Sequence, residues 1–148
     1  MSEKKLESII RDFLDAYFVK RDIEKALSFF AEDAIWVAYE GTFKGREELR
    51  RYMIWGIQGT PVRKFRDSGV GIIVKGNNVV YEHIEEAVMS DGSKWEVLVV
   101  CVYEFSGEKI QQHRAYYDRL SVVRQVAKGP IAERVVGALL KSWEKGLR

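Results

Sequence analysis

Few residue types in this chain are able to do chemistry. It has two histidines, His83 and His113, and a single cysteine, Cys101. No Cys or His neighbours stand at metal-ligand spacing, so a metal centre is not expected. Gly69-Val70-Gly71 lacks the third glycine and the following helix of a dinucleotide loop, and no G-x-S-x-G elbow occurs. Cys101 lies in a run of β-forming residues, where a thiol belongs to the core rather than to a nucleophile. What remains is proton transfer between carboxylates, imidazoles and phenols, with no cofactor expected.

The bulk properties narrow the setting. At 148 residues the chain is long enough for one domain with a full core, so one site is expected. Lys plus Arg total 24 against 22 for Asp plus Glu, and the net charge of +2 sets up no field that would draw in nucleic acid or an anionic membrane. The longest apolar run, Val97 to Tyr103, has seven residues, far below the roughly 20 that span a bilayer. Glu3, Lys4 and Lys5 stand where a signal peptide would need an apolar stretch, and the lone Cys101 has no intrachain disulfide partner. A cytoplasmic location is the expectation from these features.

The elements that must position a site follow from periodicity. Leu6, Ile9, Ile10, Phe13, Leu14, Tyr17 and Phe18 share a helical face and predict a helix over about Glu3 to Lys20, with Ser2 as N-cap. Asp22 is placed to cap a second helix bearing Ile23, Ala26, Leu27 and Phe30. Ala34 to Phe43 reads as a short hairpin around Gly41. Leu49, Met53 and Ile57 then mark a third helix that Pro61 stops.

Four long β segments come next, Val62 to Lys75, Val79 to Met89, Trp95 to Phe105 and Lys109 to Arg124, separated by Gly76-Asn77, Asp91-Gly92-Ser93 and Gly107. Paired in order they form a meander whose twist makes one side concave, and helices against that side leave a cavity at the wide end. After Gly129-Pro130 a last amphipathic helix is expected at the cavity mouth or at a dimer edge. The segment Trp95 to Tyr103 is apolar on both parities, with Trp95, Val97, Val99, Cys101 and Tyr103 on one side and Leu98, Val100 and Val102 on the other, and the helices cover only one of them. A homodimer through the outer sheet face is therefore predicted.

Three stretches, FFAEDAIWVA (29–38), FKGREELRRYM (43–53) and GEKIQQHRAYYDRLSVVRQ (107–125), resemble the SnoaL-like and limonene-epoxide-hydrolase-like branch of the nuclear-transport-factor-2-like superfamily. The resemblance spans about residues 6–125. It implies an α+β fold in which a cone-shaped, curved antiparallel sheet, an N-terminal helix pair, a third helix and a C-terminal helix enclose a pocket. Such folds host isomerases, cyclases, hydrolases, dehydratases and plain binding modules.

Matched residue by residue, the epoxide hydrolases' water-holding groups fall on Trp36, Ala38 and Ala115, and their Arg and second Asp fall on Ile84 and Glu86. Ketosteroid isomerases place a catalytic Asp at what is Ala38 here and a Tyr at what is Leu14. Indole and methyl groups do not hold an attacking water, so neither chemistry carries over intact.

The resemblance places Trp36, Ala38, Ile84, Glu86, Val97, Val99, Cys101, His113, Ala115 and Tyr117 on the inward face. Tyr17, Tyr39 and Trp55 are further candidates for aromatic lining. Glu86 and His113 are then the expected acid-base pair, with Tyr117 orienting a carbonyl. Trp36, Ala38, Ile84, Val97, Val99, Ala115, Tyr17 and Trp55 are the expected substrate-binding wall. Asp118, in the YYDR motif of the last strand, is expected to point away from the pocket and pair with Arg114 or Arg119. Two functions stay open, a cofactor-independent isomerase, cyclase or dehydratase acting on a small hydrophobic molecule, and a non-catalytic binding or dimeric interaction module.

Overall fold

The computed structural model describes residues 2–143 and 145–146. Helix α1 (Glu3–Leu14) buries Leu6, Ile9, Ile10, Phe13 and Leu14 along one face, as its spacing predicts. The helix does not run on to Lys20 as expected. Asp15–Val19 forms a π-helical turn, closed by Lys20 N–H donating to the Asp15 carbonyl at 2.9 Å. The wider turn takes a smaller angular step per residue than an α-helix, which narrows the arc over which the successive side chains Ala16, Tyr17 and Phe18 are buried. Helix α2 (Ile23–Leu27) is capped by Asp22, whose carboxylate accepts from Lys25 N–H at 2.9 Å.

Strand β1 (Phe30–Ala38) pairs with β2 (Gly41–Lys44), helix α3 (Gly45–Ile57) comes next, and β3 (Val62–Lys75), β4 (Asn78–Val88), β5 (Lys94–Ser106) and β6 (Lys109–Tyr117) form the meander. The six strands make one sheet in the order β2-β1-β6-β5-β4-β3. All neighbours are antiparallel except β1 and β6, which run parallel and set Trp36 beside His113. A register shift in β3 between Asp67 and Ile72, with Gly69 and Gly71 at positive φ, bends the far edge of the sheet. The α1–α2 pair and α3 cover the concave face, and Leu6, Ile10, Phe13, Leu27, Leu49, Met53, Val79, Tyr81, Tyr103 and Ile110 form the core.

The last strand stops at Tyr117, seven residues before its expected end at Arg124. Asp118 caps a further helix, α4 (Arg119–Val126), accepting from Leu120 N–H at 2.9 Å. The expected ion pair of Asp118 is therefore replaced by a cap, and Arg114 pairs with Glu104 at 2.6 Å instead. Helix α5 (Pro130–Trp143) begins where Gly129-Pro130 predicts, but it does not close the cavity mouth. Its main neighbour is α4, and Ile131, Val135, Leu139 and Trp143 form an exposed stripe. Among the described residues no helix is long and apolar enough to cross a membrane.

Candidate functional site

A cavity of about 320 Å³ lies between α1, the π-helical turn, α3 and the concave face of the sheet. That volume is at the small end of ligand pockets. Phe13, Tyr17 and Phe18 come from the N-terminal helical segment, Tyr52 and Trp55 from α3, Trp36 from β1, Val99, Cys101 and Tyr103 from β5, and His113, Ala115 and Tyr117 from β6. The cavity runs from buried His113 out to the exposed rings of Tyr39 and Trp55.

The π-helical turn and α3 meet through one close approach. Tyr17 donates its hydroxyl hydrogen bond to the Met53 carbonyl at 3.1 Å. A methyl group at Gly56 would lie 2.4 Å from that hydroxyl oxygen, so this position on α3 must lack a side chain. At the outer rim Tyr52 donates to Glu40 at 2.9 Å and stacks on Phe43 at 4.1 Å.

The sheet's inward parity is as expected on β1, β5 and β6 and reversed on β4. Val79, Tyr81, His83, Glu85 and Ala87 point inward, while Ile84 and Glu86 point outward. Glu86 pairs with Arg66 at 2.9 Å on the solvent side and does not line the cavity. The physical reason is the two-residue period of a strand. One step along β4 exchanges Glu85 for Glu86, and the two parities of this strand are equally mixed in polarity, so hydrophobic patterning does not set the register. The strand pairing does, because Glu85 stands opposite Val97 and His83 opposite Val99, both inward residues of β5. The inward-facing acid missed by sequence reasoning is thus Glu85, and its signal was this alternation against a strand whose inward parity was already assigned.

Of the other expected wall residues, Trp36, Val99, Ala115, Tyr117, Tyr17 and Trp55 line the cavity. Val97 is buried on the inner face without lining it, and Ala38 is half-buried beyond its edge.

The polar groups of β4 are tightly engaged. Arg63 donates from Nε and Nη2 to Glu85 Oε2, the former at 3.1 Å, and from Nη1 to the Gly56 carbonyl at 3.3 Å. Its guanidinium also lies over the rings of Phe18 at 4.2 Å and Trp95 at 5.4 Å. Glu85 Oε1 faces His83 Nε2 at 3.4 Å, and His83 stacks on Tyr81 at 4.3 Å. Tyr81 in turn donates to Asp67 at 2.6 Å, and Asp67 forms a two-pronged pair with Arg11 at 3.1 Å. Burial pushes the Glu85 carboxyl up, but the Arg63 charge and the hydrogen bonds from His83 and Arg63 outweigh it and hold it well below the usual carboxylate range.

His113 is in the opposite situation. It is sandwiched between Tyr103 and Trp36, each with its ring centroid 4.3 Å away, under the edge of Phe13. Neither of its nitrogens has a hydrogen-bond partner among the described residues, and the same is true of Trp36 Nε1 and Tyr103 Oη. Burial lowers its pKa to about 3, so the ring is a neutral imidazole. A buried polar group without a partner costs about 1–3 kcal/mol, and native structures keep few of them. Burial also raises the Tyr117 phenol above its ordinary value and pushes the Cys101 thiol up to about 12, leaving both protonated. Cys101 is therefore a wall residue. Among the described residues no group of three or more His, Cys, Asp or Glu gathers as a metal cage.

Comparison with solved structures places this architecture. A putative SnoaL-like polyketide cyclase from Jannaschia sp. CCS1 superposes with a TM-score of 0.76 at 15% identity, over 88% of this chain and 98% of the other. An epoxide hydrolase of the limonene-epoxide-hydrolase-like type from M. tuberculosis gives 0.70 at 16% identity, over 89% and 96%. A hypothetical protein with a ketosteroid-isomerase-like fold from Catenulispora acidiphila, in complex with trimethylamine, gives 0.70 at 20%, over 79% and 90%. At these identities the likeness is one of fold. No curated protein sequence matches the chain. Residues 10–113, from the middle of α1 to His113 on β6, match the SnoaL-like domain, and the chain belongs to that family.

Proposed function

We propose that this SnoaL-like protein binds a small, largely apolar molecule in the aromatic cavity and moves a proton on it without a cofactor, as an isomerase, cyclase or dehydratase. The observation that carries this reading is His113, a neutral imidazole on the cavity wall with both nitrogens unengaged. Burial opposes an imidazolium at this position. The route open to the ring is to take a proton from the ligand's α-carbon at one nitrogen as the other nitrogen gives its own proton to the ligand's carbonyl oxygen, which forms the enol and creates no buried charge. Tyr117, protonated and on the same strand, lines the remaining length of the cavity. Glu85, locked to Arg63, serves as a fixed charge pair rather than as the base.

The test is the exchange of α-hydrogens of 2-tetralone in D2O, followed by NMR. The protein is expected to accelerate exchange, and His113→Phe to slow the accelerated rate by about 100-fold, within the usual range for a general acid-base group. A second reading, a binding module with no turnover, is favoured by one observation. Neither Glu85 nor His113 is tuned to titrate near neutrality, as an efficient general base would be. Tight binding of 2-tetralone with no exchange above the buffer rate decides for that reading.

A homodimer through the outer sheet face belongs to the same proposal. On that face Leu98 and Tyr116 are half exposed, and Leu98 stands opposite Ile84 in the register. Multi-angle light scattering at micromolar concentration is expected to give twice the chain mass, and a monomer there removes the dimer from the proposal.

A further inference from the structure

Trp36, His113 and Tyr103 stand at one level on three adjacent strands. His113 is the register partner of Trp36 on β1 and of Tyr103 on β5. Phe13 meets all three rings edge-on, with centroids 6.0 to 6.4 Å away. All three line the cavity, all three are at least nine-tenths buried, and together they hold the four buried side-chain atoms that lack partners among the described residues. We infer that this row is the seat of one uncharged carbonyl oxygen of the ligand, so that the cavity selects a small cyclic ketone and rejects the corresponding carboxylate. The inference rests on the proposal that the cavity holds a small molecule, and it names the group by which that molecule is held.

The donor and acceptor inventory supports a carbonyl. The Trp36 indole only donates, the Tyr103 hydroxyl donates or accepts, and a neutral His113 has one donating and one accepting nitrogen. Three donors are thus free against a carbonyl's two lone pairs, and the second imidazole nitrogen remains for an enol or hydroxyl proton of the same molecule. An ammonium would find too few acceptors. A carboxylate would bring a charge to a place with no free cation among the described residues, because Arg63 is engaged by Glu85 and the Gly56 carbonyl. The apolar body of the ligand then extends toward Tyr117 and Trp55, along the remaining length of the cavity.

Three probes with one ring system isolate the oxygen: tetralin, 2-tetralone and 1,2,3,4-tetrahydro-2-naphthoate, each titrated by calorimetry. The ketone is expected to bind about tenfold or more tightly than tetralin, and the carboxylate more weakly than either. Trp36→Phe and Tyr103→Phe are expected to erase most of the ketone's advantage while leaving tetralin binding within about twofold, which also shows that the variants fold. Without ligand, Tyr103→Phe removes an unpartnered hydroxyl and is expected to raise the melting temperature by about 2–4 °C.

Equal affinity for ketone and tetralin, or carboxylate binding as tight as ketone binding, overturns the inference while leaving an apolar pocket in place. A lower melting temperature for Tyr103→Phe overturns it as well, since the hydroxyl would then have a partner within the protein. A selective ketone site without hydrogen exchange leaves the inference standing and removes the catalytic reading. If none of the three probes binds, both fall.

Discussion

The inner faces of β4 and β6 each carry one buried histidine, and their surroundings differ in almost every respect. His83 sits in a continuous run of paired groups, from Arg11 and Asp67 at the surface through Tyr81 to Glu85 and Arg63. His113 sits among rings, with no partner for either nitrogen among the described residues. Both sites are shielded from water, so burial alone does not distinguish them. The β4 side has its polar groups satisfied by the protein and functions as a charged buttress. The β6 side has buried polar groups that nothing among the described residues satisfies.

The contrast breaks most severely if the buttress loses its cation. Arg63→Ala leaves Glu85 buried without its charge partner, and removing one member of such a pair costs about 3–5 kcal/mol. Urea unfolding at pH 7 is expected to show that loss. Glu85 has a depressed folded pKa, so its contribution is present above the unfolded carboxyl's range near 4.5 and is lost as pH falls below it. Arg63→Ala should therefore lie closest to wild type in the most acidic samples.

The unpartnered side has its own pH signature, in a higher window. An unfolded imidazole titrates near 6.5, and folded His113 at about 3. Between these values the unfolded chain binds a proton that folded His113 does not. This term therefore lowers stability as pH falls from 6.5, by about 1.4 kcal/mol per pH unit. Between pH 7 and pH 5 wild type is expected to lose about 2 kcal/mol more than His113→Phe, read from denaturant midpoints at the two pH values.

A third perturbation tests how closely the satisfied groups are fitted. Gly56→Ala drives a methyl group against the Tyr17 hydroxyl, an overpacking worth about 1–3 kcal/mol, and Tyr17→Phe in the same chain is expected to recover part of it. The smallest effect is expected at Glu86. Its pair with Arg66 is exposed, so Glu86→Gln should change stability by less than about 1 kcal/mol and leave 2-tetralone binding unchanged. A large loss of binding in that variant would undo the assignment of β4's inward parity.

The difference between Glu85 and Glu86 also marks how far the sequence was legible. Helix spacing, the Asp22 cap, the Gly-containing turns and the order of the strands were readable because each depends on local chemistry. The inward parity of β1, β5 and β6 was readable through family resemblance, and it placed His113, Tyr117, Trp36 and Val99 on the concave face as observed. The parity of β4 was not, since Glu85 and Glu86 are adjacent and chemically alike, and only pairing across strands separates them. Asp118 was misread for a related reason. A carboxylate after a β segment caps a helix as readily as it pairs with an arginine, and the hydrogen bond to Leu120 N–H decides between them. The unpartnered state of His113 was also out of reach, because it depends on what the neighbouring strands fail to offer.

The π-helical turn at Asp15–Val19 is specified differently from the rest of the site. It depends on the number of residues between α1 and α2, because a wider turn takes up one residue more than an α-helix of the same rise. Deleting a single residue from it would restore α-helical geometry, rotate the downstream side chains by roughly 100°, and carry Tyr17 away from Met53 and Phe18 away from Arg63. Relatives differing in length at this point would present a different wall to the ligand even with every lining residue retained. Chain length through this turn is thus a determinant of cavity shape that residue-by-residue comparison does not register.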